Sequence, residues 1–150
     1  MRKTKVLSVL VLAGITAYAG NVKPENVPVA VKQSFMKMYP EAKEVKWEME
    51  GKNYEAEYKK NKQELEAVFT PEGTFLQTEK ELKSINDLPK EVLAAANKEF
   101  AGYKLSEAEW VETADKKIHY MVTATKGKAE YELLYNASGV LEKKTEEKED

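Results

Sequence analysis

The stretch Val45-Lys46-Trp47-Glu48-Met49-Glu50-Gly51-Lys52-Asn53-Tyr54-Glu55-Ala56-Glu57-Tyr58 decides the fold. Val45, Trp47 and Met49 alternate with Lys46, Glu48 and Glu50, and Tyr54, Ala56 and Tyr58 alternate with Glu55 and Glu57. A period of two marks half-buried strands with one face on a core and the other in water. Leu65, Ala67 and Phe69 continue the pattern, and a fourth short strand is expected near Thr74–Glu79. Upstream, the period changes to about four. Val27, Val31, Phe35 and Met38/Tyr39 form one helical face, Pro28 suits the first helical position, and Pro40 blocks continuation.

This unit recurs. Val27-Pro28-x-x-Val31 returns as Leu88-Pro89-x-x-Val92, at an offset of 61. Trp47 matches Trp110 at 63, and Tyr54-x-Ala56-x-Tyr58 matches Ile118-x-Tyr120-x-Val122 at 64. Leu65, Glu66, Phe69 and Gly73 match Tyr131, Glu132, Tyr135 and Gly139 at 66. The offset grows where loops would lie, as expected of duplicated units. The second helix carries Leu88, Val92, Ala96 and Phe100 on one face; Asp87 can serve its free N–H groups and Gly102 can close it. Thr70–Gly73 and Asn136–Gly139 read as matched turns ending in a glycine at positive φ.

The expected fold is α+β, with two tandem α-β-β-β-β repeats. Edge-to-edge joining would give one eight-stranded antiparallel sheet with both helices on one face. The first repeat is placed at 20–86 and the second at 87–146. The charged tail from Glu142 to Asp150 is expected to fray, with 147–150 outside the repeat.

Tyr39-Pro40-x-Ala42-x-x-Val45-x-Trp47, the two V/L-P-x-x-V helix starts, the Tyr54-x-Ala56-x-Tyr58 strand and the Phe69-x-x-x-Gly73 turn resemble the PepSY-like family of exported proteins of Bacteroides-type bacteria. The resemblance covers the chain after its first twenty residues. It is weaker in the second copy, where Ala101-Gly102 replaces the Tyr-Pro step. The family is similar in architecture to the beta-lactamase inhibitor protein, which grips its target enzyme with a concave sheet face. The resemblance implies a tandem helix-plus-four-strand architecture, but no motif here copies an inhibitory loop.

Residues 1–19 read as a secretory signal peptide. Arg2, Lys3 and Lys5 precede an apolar run from Val6 to Ile15, and Ala17-Tyr18-Ala19 fits a cleavage site after Ala19. The apolar run is shorter than a bilayer span requires. A periplasmic or secreted protein is expected, not embedded in the membrane. Cleavage would take the formal charge from −2 to −5 and remove Arg2, the only arginine. An acidic chain without arginine is a poor nucleic-acid binder.

The 150 residues include no cysteine and one histidine, His119. That excludes disulfides, thiolate nucleophiles and a multi-histidine metal site. No G-x-S-x-G elbow, P-loop or G-x-G-x-x-G is present. Pairs such as Glu55/Glu57 and Glu64/Glu66 share a strand face, but lysines surround them and a glycosidase would need them in a pocket. Catalysis by His119 would need an oriented partner, with Asp115 or Glu112 nearest in sequence. No catalytic, cofactor-binding or metal residues are assigned. Trp47 and Trp110 read as paired core residues.

The functional expectation rests on an asymmetry. In the first repeat, the strand face away from the helix is mostly Lys and Glu. In the second, Val111, His119, Met121, Thr123 and Leu134 fall on that face, and Val68 joins from the first. An apolar cluster on a charged sheet face marks a contact site. The expected function is a non-enzymatic module that presents an open sheet face to a protein or peptide in the cell envelope, in the manner of an inhibitor. The alternative is a periplasmic carrier of a small molecule or ion, which would need an enclosed pocket.

Overall fold

A computed structural model describes residues 20–147. The segment read as a signal peptide and the last three residues lie outside the described residues. The described residues hold two helices and nine strands, and every ladder whose register is given is antiparallel. Within each unit the strands follow one another in chain order.

The chain divides into two units between Thr78 and Glu79. The first contains β1 (Gly20–Val22), α1 (Val29–Met38), β2 (Lys43–Glu50), β3 (Asn53–Lys60), β4 (Gln63–Phe69) and the start of β5 (Phe75–Glu81). The second contains α2 (Lys90–Glu99), β6 (Lys104–Thr113), β7 (Ile118–Lys126), β8 (Ala129–Asn136) and β9 (Leu141–Glu147). The α-β4 repeat is present in both. The strand count is nine rather than the expected eight, because Gly20–Val22 pairs with β2, with Val22 opposite Trp47.

Both helices begin one residue later than expected. Pro28 and Pro89 are N-caps in extended conformation. Their carbonyls accept the first helical bonds, from Lys32 and Leu93. Asp87 does not cap α2. Its carboxylate accepts from the backbone N–H of Ser84 at 3.1 Å and closes a capping box on the preceding 3-10 turn, Ile85–Asp87. Gly102 has a positive φ of 82° just past α2.

In the first unit, Val27, Val31 and Phe35 pack on Trp47, Ala56, Tyr58, Ala67 and Phe69. Phe35 is the hub, with ring centroids 5.2–6.3 Å from Tyr39, Trp47, Tyr58 and Phe69. In the second, Leu88, Val92, Ala96 and Phe100 pack on Ala108, Val122, Ala124, Leu133 and Tyr135. The tryptophans are not equivalent. Trp47 is buried in its core, whereas Trp110 is half-buried, opposite Tyr120. The tail is also corrected. Residues 143–147 pair with β8, with Glu142 at a register shift, giving a charged edge strand of the kind that discourages further pairing.

Candidate sheet-face site

The register sets which side chains share a face. Ala108, Val122, Ala124, Leu133 and Tyr135 pack toward α2, so their strand neighbours point to the opposite side. On that side Val111 is directly across from His119, Met121 from Leu134, and Thr123 from Glu132. The structure thus brings five of the six proposed contact residues onto one face of the second unit. Val68 takes the corresponding face of the first unit, across from Glu55.

The repeat shows what has changed. At the offsets that align the strands, Glu48 becomes Val111, Glu55 becomes His119, Glu57 becomes Met121 and Lys59 becomes Thr123, while Val68 becomes Leu134. Four charged positions of the first unit have lost a formal charge or exchanged it for an imidazole. The first unit keeps acidic pairs directly across from each other, Glu48–Glu55 and Glu57–Glu66. Lys46 offsets the second pair through a 3.1 Å contact with Glu57.

The expectation of an open patch is not what the structure shows. Val111 is 0% exposed, Val68 1%, Leu134 3%, Thr123 4%, Met121 6% and His119 8%. None of the four apolar residues among them belongs to a helix-side core. Strand parity identifies a face; it carries no information on what shields it.

His119 meets neither Asp115 nor Glu112. Its Nδ1 lies 2.8 Å from Oε2 of Glu142 without forming a hydrogen bond, so the contact is an ion pair only when the imidazole is protonated. Asp115 is held instead by Lys117 and by the Thr113 hydroxyl, which lower its pKa to about 2, and Glu112 pairs with Lys116. The Thr123 hydroxyl is buried and has no hydrogen-bond partner among the described residues.

An interaction among three carboxylates was not foreseen. Tyr131 packs on the α2 side, which turns Glu130 to the opposite side. Glu107 lies in a β-bulge between Leu105 and Ala108. Its pKa is raised, first by burial and then by the charges of Glu81 and Glu130. The first repeat has the same bulge in β2, between Lys43 and Lys46. No group of three or more acidic or histidine side chains among the described residues is arranged to hold a metal ion. No described helix is long and apolar enough to cross a membrane.

The PepSY-like family, whose members are proposed to be beta-lactamase-inhibitor-like, matches residues 15–77 and again 61–143. The chain belongs to this family. The two matched segments follow the two repeats of this PepSY-like protein. Among curated proteins, none is similar to it. Similar solved structures include a BLIP-like protein from Bacteroides fragilis, 29% identical with a TM-score of 0.66, covering 79% of this chain and 86% of that one. A DUF2874 family protein from Bacteroides ovatus is 24% identical with a TM-score of 0.70, covering 85% and 89%. A Bacteroides eggerthii protein proposed to be periplasmic is 20% identical with a TM-score of 0.68, covering 80% and 88%. The last two likenesses carry the fold alone.

Proposed function

We propose that this PepSY-like protein is an exported, non-enzymatic binding module that presents the sheet face opposite α2 to a protein or peptide of the cell envelope, in the manner of an inhibitor. One observation carries the reading. The second repeat replaces charged side chains by Val111, Met121 and Thr123, beside Leu134, on the face its own helix does not use. Apolar side chains on that face contribute nothing to the α2 core, and adaptable Met suits a recognition surface. The BLIP-like relative and the family's description favour an inhibitor-like module over an enzyme. Export is supported by the leader-like first nineteen residues.

The reading is tested by affinity capture from envelope extract, using the form recovered after export. Wild type is compared with Met121→Glu plus Leu134→Glu, and with the milder Leu134→Ala. Circular dichroism checks that each variant folds. Loss of the captured partner in folded variants is the expected result. Equal recovery by all three would place the contact elsewhere.

A further inference from the structure

At the C-terminal end of α2 three aromatic rings close on one another. Phe100 caps the helix, Tyr103 follows it in the loop, and Tyr131 stands on β8. Their centroids are 5.5 Å (Phe100–Tyr103), 5.9 Å (Tyr103–Tyr131) and 6.2 Å (Phe100–Tyr131) apart. Both tyrosines pack against the α2 core, so the cluster is separate from the sheet face proposed above. Phe100 is buried, whereas Tyr103 and Tyr131 are half-buried.

Two ammonium groups sit on these rings. Lys144 Nζ, from β9, lies 3.9 Å from the centroid of Tyr131 and 5.3 Å from that of Phe100. Lys126 Nζ, from the end of β7, lies 5.4 Å from the centroid of Tyr103. Ring faces attract cations through their quadrupole, and the C-terminal end of a helix adds partial negative charge. Glu146 brings a carboxylate to the same place, accepting from the Tyr131 hydroxyl at 3.4 Å. The chemistry is that of a cation receptor filled from its own chain. Both lysines are exposed and reach the rings on flexible four-carbon stems, so an incoming cation can exchange with them.

The repeat does not need this cluster to fold. At the matching offsets of the first repeat, Tyr103 becomes Ala42, Tyr131 becomes Leu65 and Lys144 becomes Thr78. There Tyr39, the counterpart of Phe100, hydrogen-bonds the Thr78 hydroxyl at 2.6 Å instead.

We propose that Phe100, Tyr103 and Tyr131 form a binding site for a quaternary ammonium group of the choline type, which displaces the Lys144 ammonium. A primary ammonium is strongly hydrated. A methylated one gives up less hydration, and its methyl groups contact several rings at once.

The test follows the ring protons of the exported form by NMR during titration with choline chloride. The uncharged isostere 3,3-dimethyl-1-butanol and sodium chloride serve as controls. Choline is expected to shift the Phe100, Tyr103 and Tyr131 signals saturably, the isostere far less, and sodium not at all. Lys144→Gln removes the competing ammonium and should tighten choline binding at least about threefold. Tyr131→Leu and Tyr103→Ala, which install the first repeat's residues, should each abolish it while circular dichroism shows the protein folded. If the protein also sediments with phosphatidylcholine vesicles, the group is read on a lipid surface; choline binding without sedimentation makes the ligand a soluble one. Equal shifts by choline and its isostere would overturn the proposal. So would the lack of saturable shifts in both wild type and Lys144→Gln, which would leave the lysines as structural contacts alone.

Discussion

Gly139 lies directly on the first turn of α2: a Cβ added to it would come 2.5 Å from the carbonyl oxygen of Glu91. Gly73 stands in the same relation to Ala30 in α1, at 2.6 Å. Both glycines have left-handed backbone, with φ of 85° and 81°, and both close turns whose N–H bonds back to Thr70 or Asn136. Each repeat thus clamps its β-turn against its helix start. Gly73→Ala and Gly139→Ala are each expected to cost about 1–3 kcal/mol from the strained conformation, with the contact adding to it. Urea unfolding measures this; unchanged midpoints would contradict the clamp.

Phe35 is the second structural test. It touches four aromatic rings in the first unit, and the equivalent position in the second is Ala96. Phe35→Ala should cost about 3–5 kcal/mol. Leucine there should restore part of that loss, since it refills volume without the edge-to-face contacts. An alanine variant with the stability of wild type would show that the hub is not needed.

Much of this architecture was legible because its signals are local. The alternation around Trp47 and Tyr54, the four-residue spacing from Val27, and the paired turn glycines each act over a few residues. β1 was not legible. Gly20–Val22 is three residues long and is a strand only because Trp47 and Met49 offer a ladder. β9 was read as a frayed tail for a related reason: an edge strand can be charged along its length and still pair. Parity along the strands puts Val111, His119, Met121, Thr123 and Leu134 on one face, but their shielding depends on tertiary packing. The His119–Glu142 contact and the carboxylates around Glu107 join separate strands, so spacing along the chain could not reveal them.

Glu107 gives a pH prediction with a definite sign. Its folded-state pKa is raised above the ordinary 4.5 by burial, with Glu81 and Glu130 adding to it. Between those two values the folded state holds more proton than the unfolded one. Its stability therefore falls as pH rises through that window. Glu107→Gln should flatten this part of the stability curve, and the Glu107 carboxyl carbon should titrate above that of an exposed glutamate by NMR. A normal titration would contradict the cluster.

Met121 reports on access to the face. It is 6% exposed, against 60% for Met36 on α1. If the face serves a partner after export, peroxide should oxidise Met121 in the exported form at a rate approaching that of Met36, since sulfoxide formation follows exposure. Peptide mass spectrometry reads both sites in one sample. A Met121 that stays protected in the exported, unbound form would argue against the binding face.

The central claim is that the sheet face opposite α2 meets a partner. A photo-crosslinking amino acid placed at Thr123 tests it most directly, with the same group at Met36 as a control on the exposed side of α1. Irradiation in the intact envelope is expected to give one discrete adduct from position 123 and none from position 36. An adduct from position 36 alone, or the same adducts from both, would contradict the account.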